Sequence, residues 1–415
     1  MLSFPLVLSL RVVATDPISV REEEQNFSTF IYKAGEGNLT FSLNAEKSTG
    51  DVFFHITAPE SYQWVSVGTG EEMRGSVMWV IYKSSEKMVK LTFSPRLSDG
   101  KSEPSYSSSI SCSMVDSDSS QNGIITIDSK RYYSANVYCL KVTSLGHGGG
   151  RLDLANAKQP FLYAFGPTNK PISSKSLTAG IRRHESYGDF WVDMTKATSN
   201  SAEVLSGEAL TTAINAGAEE GAESDGDKAG PTHAVLMLGS FALLFPLGAV
   251  LLRYFESVKI HWLVQLVGML TTVVGTGVGL YLGRMYNHSK DVSSGHQIAG
   301  IVLLLLVFLQ FGIGGWHHFQ YRKYKNPTKY GTIHRYAGPF VVLAGIINGF
   351  TGFNFSGESE NNVYYGIVVG LVLVAVIGML AWKGWSKKKE TGMPRNRDPA
   401  DGVGLNAMPK SYEQM

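Results

Sequence analysis

Four histidines, His233, His261, His296 and His334, each stand at or beside the start of a long apolar stretch. The one beginning at His261, "HWLVQLVGMLTTVVGTGVGLYLG", carries no charge along its length. An imidazole among hydrocarbon side chains is costly unless it is partnered, which makes each ring a candidate for chemistry. Imidazole offers two kinds: it exchanges protons near neutral pH, and its neutral nitrogen ligates transition metals. A proton or metal-ion path would want acidic residues inside the stretches, and there are none. The plain alternative is that histidines decorate helix ends, as Trp and Tyr do at membrane interfaces.

The elements that would position these rings are membrane spans. Five apolar segments, at about 233–252, 261–283, 296–317, 334–353 and 363–382, reach the roughly 20 residues needed to cross hydrocarbon, with no Asp, Glu, Lys or Arg in their interiors. With the N-terminal half outside, the inner segments carry Arg253, Lys259, Arg322, Lys323, Lys325, Lys329, Lys383, Lys387, Lys388 and Lys389, against Arg284 and Lys290 outside. That asymmetry is the positive-inside pattern. The glycosylation sequons at Asn26, Asn38, Asn287 and Asn354 all fall outside in the same arrangement.

Topology then sorts the histidines. Spans one and three run inward, placing His233 and His296 near the outer face; spans two and four run outward, placing His261 and His334 near the inner face. Two facing imidazoles on neighbouring helices suit the axial positions of haem iron. Gly275, Gly279 and Gly283 share a face of span two and would allow close approach of a helix or macrocycle. His317 and His318 end span three without a matching pair. Lys259 and Arg335 adjoin the inner histidines and could attract an anionic donor, although ordinary positive-inside charge also accounts for them.

The ordered set of the His233 span, "HWLVQLVG", "HQIAG" and "HRYAG" resembles the cytochrome b561 core over about residues 231–385. The resemblance implies that the four histidines hold two b-type haems, one toward each face, and carry electrons across the bilayer.

Residues 27–198 read differently. "DVFFHITAP", "SVMWVIYK", "KLTFSP", "GIITIDS", "RYYSANVYCLKV", "PFLYAFGP" and "DFWVDM" are rich in β-branched and aromatic residues and are broken by Gly, Ser, Asp and Asn. This predicts an antiparallel all-β sandwich. Two stretches depart from a generic sandwich: "WVSVGTGEEMRGSVMWVIY", with Met73 in a Gly-flanked turn, and "AGIRRHESYGDFWVDMTKA", with His184 before what reads as the last strand. This half resembles the DOMON family, in particular the cytochrome domain of cellobiose dehydrogenases. The resemblance implies that Met73 and His184 clamp a third b-type haem, with "GHGGGRLDL" as a Gly-rich turn in which His147 is a rival histidine. Core packing of Met73 and a surface role for His184 are the alternatives.

The bulk numbers agree with this division. A net charge of +2 over 415 residues argues against a nucleic-acid binder. The two cysteines, Cys112 and Cys139, form no CxxC and suit one disulfide in an exported domain, with two buried thiols as the alternative. Residues 1–20 read as a degraded export signal, 199–230 as a flexible acidic linker with a reach on the order of 30 Å, and 386–415 as a disordered cytosolic tail.

The fold class is therefore an all-β sandwich followed by an all-α transmembrane bundle of five spans. The expected protein is multi-pass, with its N-terminal domain extracellular or lumenal and its C-terminus cytosolic. Electrons are expected to pass from a cytosolic donor to His261/His334, His233/His296, Met73/His184 and then an external acceptor; the resemblance implies an ascorbate-like reductant inside and ferric iron or a redox partner outside. The rival reading is a membrane-anchored carbohydrate-binding or sensing module.

Overall fold

The computed structural model describes residues 26–392, except 87–89, 116–121, 170, 202–204, 206–209, 219–222 and 225–226, with side chains described as far as Trp385. The expected signal at 1–20 lies outside the described residues, as does the tail beyond Gly392. The chain divides into two compact units, the first ending at Gly226 and the second starting at Asp227.

The first unit is a two-sheet antiparallel sandwich. One sheet runs Ser28–Ala34, Gly37–Glu46, Val52–Pro59, Lys130–Cys139 and Cys112–Met114 in spatial order. The other runs Ala216–Ala218, Ser186–Val192, Gln159–Phe165, Val65–Thr69, Val77–Lys83, Leu91–Leu97 and Ser105–Tyr106. Alternate residues face inward, as strand geometry demands. Phe41, Phe54 and Ile56 from one sheet meet Trp79, Phe161 and Phe190 from the other in one buried cluster. Phe54 and Trp79 have ring centres 4.4 Å apart, and Phe30 stacks on Phe190 at 4.0 Å. Cys112 and Cys139, opposite one another in register, are joined in a disulfide.

Unusually, the second sheet is apolar on both faces. Val77, Trp79 and Ile81 enter the sandwich core, whereas Met78, Val80 and Tyr82 turn outward and cluster with Trp64, Leu162, Ala164 and Ile181. A sheet face of this kind must be covered. Residues 171–184, which form neither helix nor strand, supply Ile172, Ala179 and Ile181 to that cover.

The segment expected to be a flexible linker is not one over most of its described length. Thr198–Ser199 pairs in parallel with Ala45–Glu46, and Ile214 bridges Thr29. Ala216–Ala218 and Glu223–Ser224 both pair with Ser186–Val192. Leu205 is buried against Phe53. Small residues weakened the strand signal here, but an open sheet edge and an uncovered Phe53 give the segment partners. Ser186–Val192 is consequently not the last strand, and only residues 225–228 separate the last one from the first span.

Among the described residues, the second unit has five helices long and apolar enough to cross a membrane: Ala229–Phe255, Val258–Met285, Gly295–Tyr324, Lys329–Phe355 and Asn361–Trp385. These are spans one to five, and the fifth continues helically to Gly392. Span one contains a π-helical turn over Gly239–Leu244. Pro246 follows it and has no N–H to give to the preceding turn, a common origin of such irregularity. Around this turn Phe241 fills a notch at Gly345 of span four, and Phe245 rests on Gly268 of span two.

One buried histidine on the first sheet should make the sandwich sensitive to acid. His55, 3% exposed, bonds Asn136 Oδ1 through Nδ1 at 2.8 Å, and Nε2 contacts the Thr57 hydroxyl. Burial lowers its pKa below the ordinary 6.5, opposed by the Asn136 bond. A depressed folded-state pKa means that the unfolded chain takes up the proton more readily. The contribution of His55 is therefore fully present above about pH 6.5 and is lost as pH falls below it. Chemical denaturation of the first unit should show stability declining as pH falls below about 6.5, and His55→Gln should flatten that slope.

Candidate haem-ligating sites

Span geometry brings the four membrane histidines together in two pairs. His233 of span one and His296 of span three have ring centres 6.2 Å apart with planes at 89°. His261 of span two and His334 of span four are 6.3 Å apart at 80°.

Each ring is oriented by a backbone carbonyl on an adjacent helix. Nδ1 of His233 bonds Gly275 O at 2.7 Å, and Nδ1 of His261 bonds Gly248 O at 2.9 Å. Nδ1 of His296 and of His334 bonds Asn348 O and Gln310 O, each at 3.1 Å. A carbonyl oxygen can only accept, so each Nδ1 carries a proton, and in the neutral ring Nε2 keeps its lone pair. Those carbonyls lie inside helices and use their second lone pair for the imidazole. Spans one and two exchange bonds in this way, as do spans three and four, and each hairpin contributes one histidine to each pair.

Space for the rings comes from glycine. A Cβ on Gly279 would lie 2.7 Å from the His233 ring, one on Gly352 2.7 Å from His296, and one on Gly314 2.9 Å from His334. These glycines stand four residues, about one helical turn, after the carbonyl that each ring uses. For His261 the acceptor is itself a glycine, and the space at Gly248 is taken by Gln265, whose Nε2 donates to Phe245 O at 3.0 Å. Gly275, expected to allow close approach, does so toward span one, where an added Cβ would lie 2.7 Å from Met237 Sδ, while Gly283 faces Gln297.

The donor set fits haem b. Two imidazoles on one iron, each at about 2.0 Å through nitrogen, set their ring centres about 6 Å apart. A second ring nitrogen donating to a backbone carbonyl is the usual way in which such a ligand is oriented.

His317 contacts the Thr328 hydroxyl through Nδ1 at 2.8 Å and packs on Gly331. Lys259 and Arg335 are exposed. So are Asn26, Asn38 and Asn354, whereas Asn287 is half-buried.

In the sandwich, Met73 packs at the border of the outward apolar cluster of Trp64, Met78, Val80, Tyr82, Leu162, Ala164 and Ile181. Tyr187 borders the same cluster and stands 4.6 Å, centre to centre, from the His184 ring. A thioether and an imidazole beside one apolar platform form a donor set suited to a b-type haem. The Met73 turn is framed by Gly70 (φ +92°) and Gly75 (φ +78°), both in the left-handed region that glycine tolerates. The "GHGGG" turn backs it closely: a Cβ on Gly70 would meet Gly149 O at 2.4 Å, and one on Gly75 would meet His147 O at 2.1 Å. His147 thus meets the Met73 turn through its backbone, with its N–H donating to Gly75 O at 3.1 Å.

The sequence reading missed the carbonyl partners and the glycines at 314 and 352. No local signal marked them, because only the crossing of two helices decides which carbonyl faces a ring and which residue one turn on must be small.

Residues 22–203 match the family described as the cytochrome domain of cellobiose dehydrogenase, and residues 232–358 match eukaryotic cytochrome b561. Two cytochrome b561 and DOMON domain-containing proteins of Arabidopsis thaliana are similar. One is 28% identical over 179 residues, covering 40% of this chain and 43% of that protein. The other is 27% identical over 156 residues, covering 35% and 38%. The chain thus matches less than half the length of these relatives. Among solved structures, the cytochrome b domain of pyranose dehydrogenase from Coprinopsis cinerea aligns with TM-score 0.34 at 17% identity, over 41% of this chain and 84% of that one. The cytochrome domain of Myriococcum thermophilum cellobiose dehydrogenase aligns with TM-score 0.33 at 15% identity, over 42% and 85%.

The glycine contacts separate positions that sequence alone treats alike. Gly314→Val should lower the haem-to-protein ratio of the purified chain by one membrane haem. Gly315→Val, where an added Cβ meets nothing within 4 Å, should leave it unchanged. Gly279→Val and Gly277→Val should behave as the corresponding pair for the His233 ring.

Proposed function

Because the chain joins a cellobiose-dehydrogenase-type cytochrome domain to a eukaryotic cytochrome b561 domain, we propose that it is an oxidoreductase moving electrons across a membrane between ligand sets for three b-type haems. The observation that carries the proposal is the uniform placement of the four span histidines, each with Nδ1 against a backbone carbonyl that can only accept, which in the neutral ring leaves Nε2 for iron. Haem iron, when bound, supplies reversible one-electron storage. The protein's part is to fix the imidazoles, exclude water and set the order of the sites.

In this reading the N-terminal domain is extracellular or lumenal and the tail cytosolic, as the charge asymmetry of the flanks supports. His261 and His334 serve the inner site, where exposed Lys259 and Arg335 draw an anionic, ascorbate-like reductant. His233 and His296 serve the outer site. Met73 and His184 serve the soluble domain, which passes electrons to a ferric chelate or a redox protein. A thioether favours ferrous iron more than a second imidazole does, which supports placing the Met73 site last in the sequence.

Replacing His261 or His334 with alanine should remove one haem and abolish reduction of the remaining sites by ascorbate. Replacing His233 or His296 should leave the inner site reducible and block transfer beyond it. Full haem content in all four variants would overturn the ligand assignment. Protease added to intact cells should digest the N-terminal unit and spare an epitope after Lys389; the reverse pattern would overturn the direction.

A further inference from the structure

His184 comes from an irregular segment, yet an iron ligand must be held to a fraction of an ångström. Residues 171–184 have no ladder of their own, and side chains of the sheet beneath them satisfy their backbone. Thr92 Oγ1 donates to Ser174 O at 2.7 Å, Tyr82 OH donates to Ser176 O, and Ser94 Oγ donates to Leu177 O at 2.6 Å. Trp64 Nε1 donates to Arg182 O at 3.0 Å.

Between these bonds sits a buried ion pair. Arg96 and Glu103 are 1% and 3% exposed, with Arg96 Nη1 3.4 Å from Glu103 Oε1. Arg96 Nη2 donates to Ala179 O at 2.6 Å, and Glu103 Oε1 accepts from the Ile181 N–H at 2.9 Å. The pair therefore grips the strap on both sides of Gly180, three to five residues before His184. Nε of Arg96 donates to Ser94 Oγ at 3.0 Å, and Nη1 also reaches Pro104 O at 3.2 Å, so all three guanidinium nitrogens are engaged. A buried pair stabilises a fold poorly relative to apolar packing, because both charges lose water. Here each partner also takes up a strap peptide group of the polarity that it alone can satisfy.

We propose that Arg96 and Glu103 are positioning residues that hold His184 at the iron of the soluble domain; this rests on the reading of His184 as a ligand. A lysine at 96 keeps the charge and the attraction to Glu103 but loses the planar fork that serves Ser94, Pro104, Glu103 and Ala179 together. A role confined to electrostatic stability tolerates that change, whereas a positioning role does not.

The test uses the full-length protein in detergent, reduced with dithionite and exposed to carbon monoxide, which binds ferrous haem only where a ligand position is open. His184→Gly serves as reference. It should open one haem equivalent to carbon monoxide, and added imidazole should close it. Arg96→Lys and Glu103→Gln should each open the same equivalent, also closed by imidazole, while the membrane haems keep their wild-type spectra. If His184→Gly opens a site but both pair variants bind no more carbon monoxide than wild type, the positioning role is wrong and the ligand assignment stands. If His184→Gly matches wild type, the ligand assignment fails and this inference falls with it. Should a pair variant lose the soluble haem outright, imidazole supplied during expression should restore it; failure to restore it would overturn the proposal.

Discussion

The membrane unit depends on one interaction repeated four times: an imidazole Nδ1–H given to a backbone carbonyl of the neighbouring helix. Hydrocarbon offers no water to a spare ring N–H, so each span histidine must find an acceptor within the protein. Serine or threonine could serve, but a carbonyl in a helix wall is rigid and cannot rotate away. Meeting that need settles the tautomer, brings spans one and two together, and does the same for spans three and four. The ring spacings of 6.2 and 6.3 Å follow from helices already held in this way. Glycines at 279, 314 and 352 are a secondary consequence, since a side chain there would occupy the volume of the ring.

The sandwich meets the same demand by other means. Its candidate ligands come from a tight turn and an irregular strap, neither of which is rigid by itself. Gly70 and Gly75 let the Met73 turn lie directly against the backbone of residues 147–150, so that main chain braces main chain. The strap before His184 is secured by side-chain donors and acceptors from the outward face of the sheet. That face is split by chemistry: Met78, Val80, Leu162 and Ala164 give an apolar platform, and Thr92, Ser94 and Arg96 give a polar one under the strap. A sheet buried on both faces thus separates what packs from what holds.

Polarity in the membrane unit is concentrated where helices touch. Gln265, Asn348 and Thr272 each bond backbone within the bundle. At one end of the bundle, Lys383 of span five donates to the Arg253 and Tyr254 carbonyls that end span one, a cation placed at the negative end of a helix. Span five is thereby tied to the bundle by a charge at its end, while much of its apolar length faces outward, as lipid-facing surface should.

Much of this was legible in the sequence because it rests on composition and on position along a helix. Uncharged runs of about 20 residues require spans. A histidine at the head of each of four alternating spans must fall into two levels, whatever the packing. Strand alternation marked the sandwich, and Met73 and His184 stood out by their neighbours. The segment 199–230 was misread because Ala, Gly, Ser and acidic residues carry no strand signal; Ala216–Ala218 becomes a strand only where the edge of Ser186–Val192 lies open to it. No local pattern could select Gly248, Gly275, Gln310 and Asn348 as acceptors, since every helical residue has a carbonyl and only the crossing of two helices decides which one faces a ring. The Arg96–Glu103 grip on residues 179 and 181 was hidden for the same reason. Sequence determined which residues could do chemistry and at which level of the membrane or sheet they stand, whereas tertiary structure decided their partners, because a hydrogen bond depends on ångström distances between segments far apart in the chain.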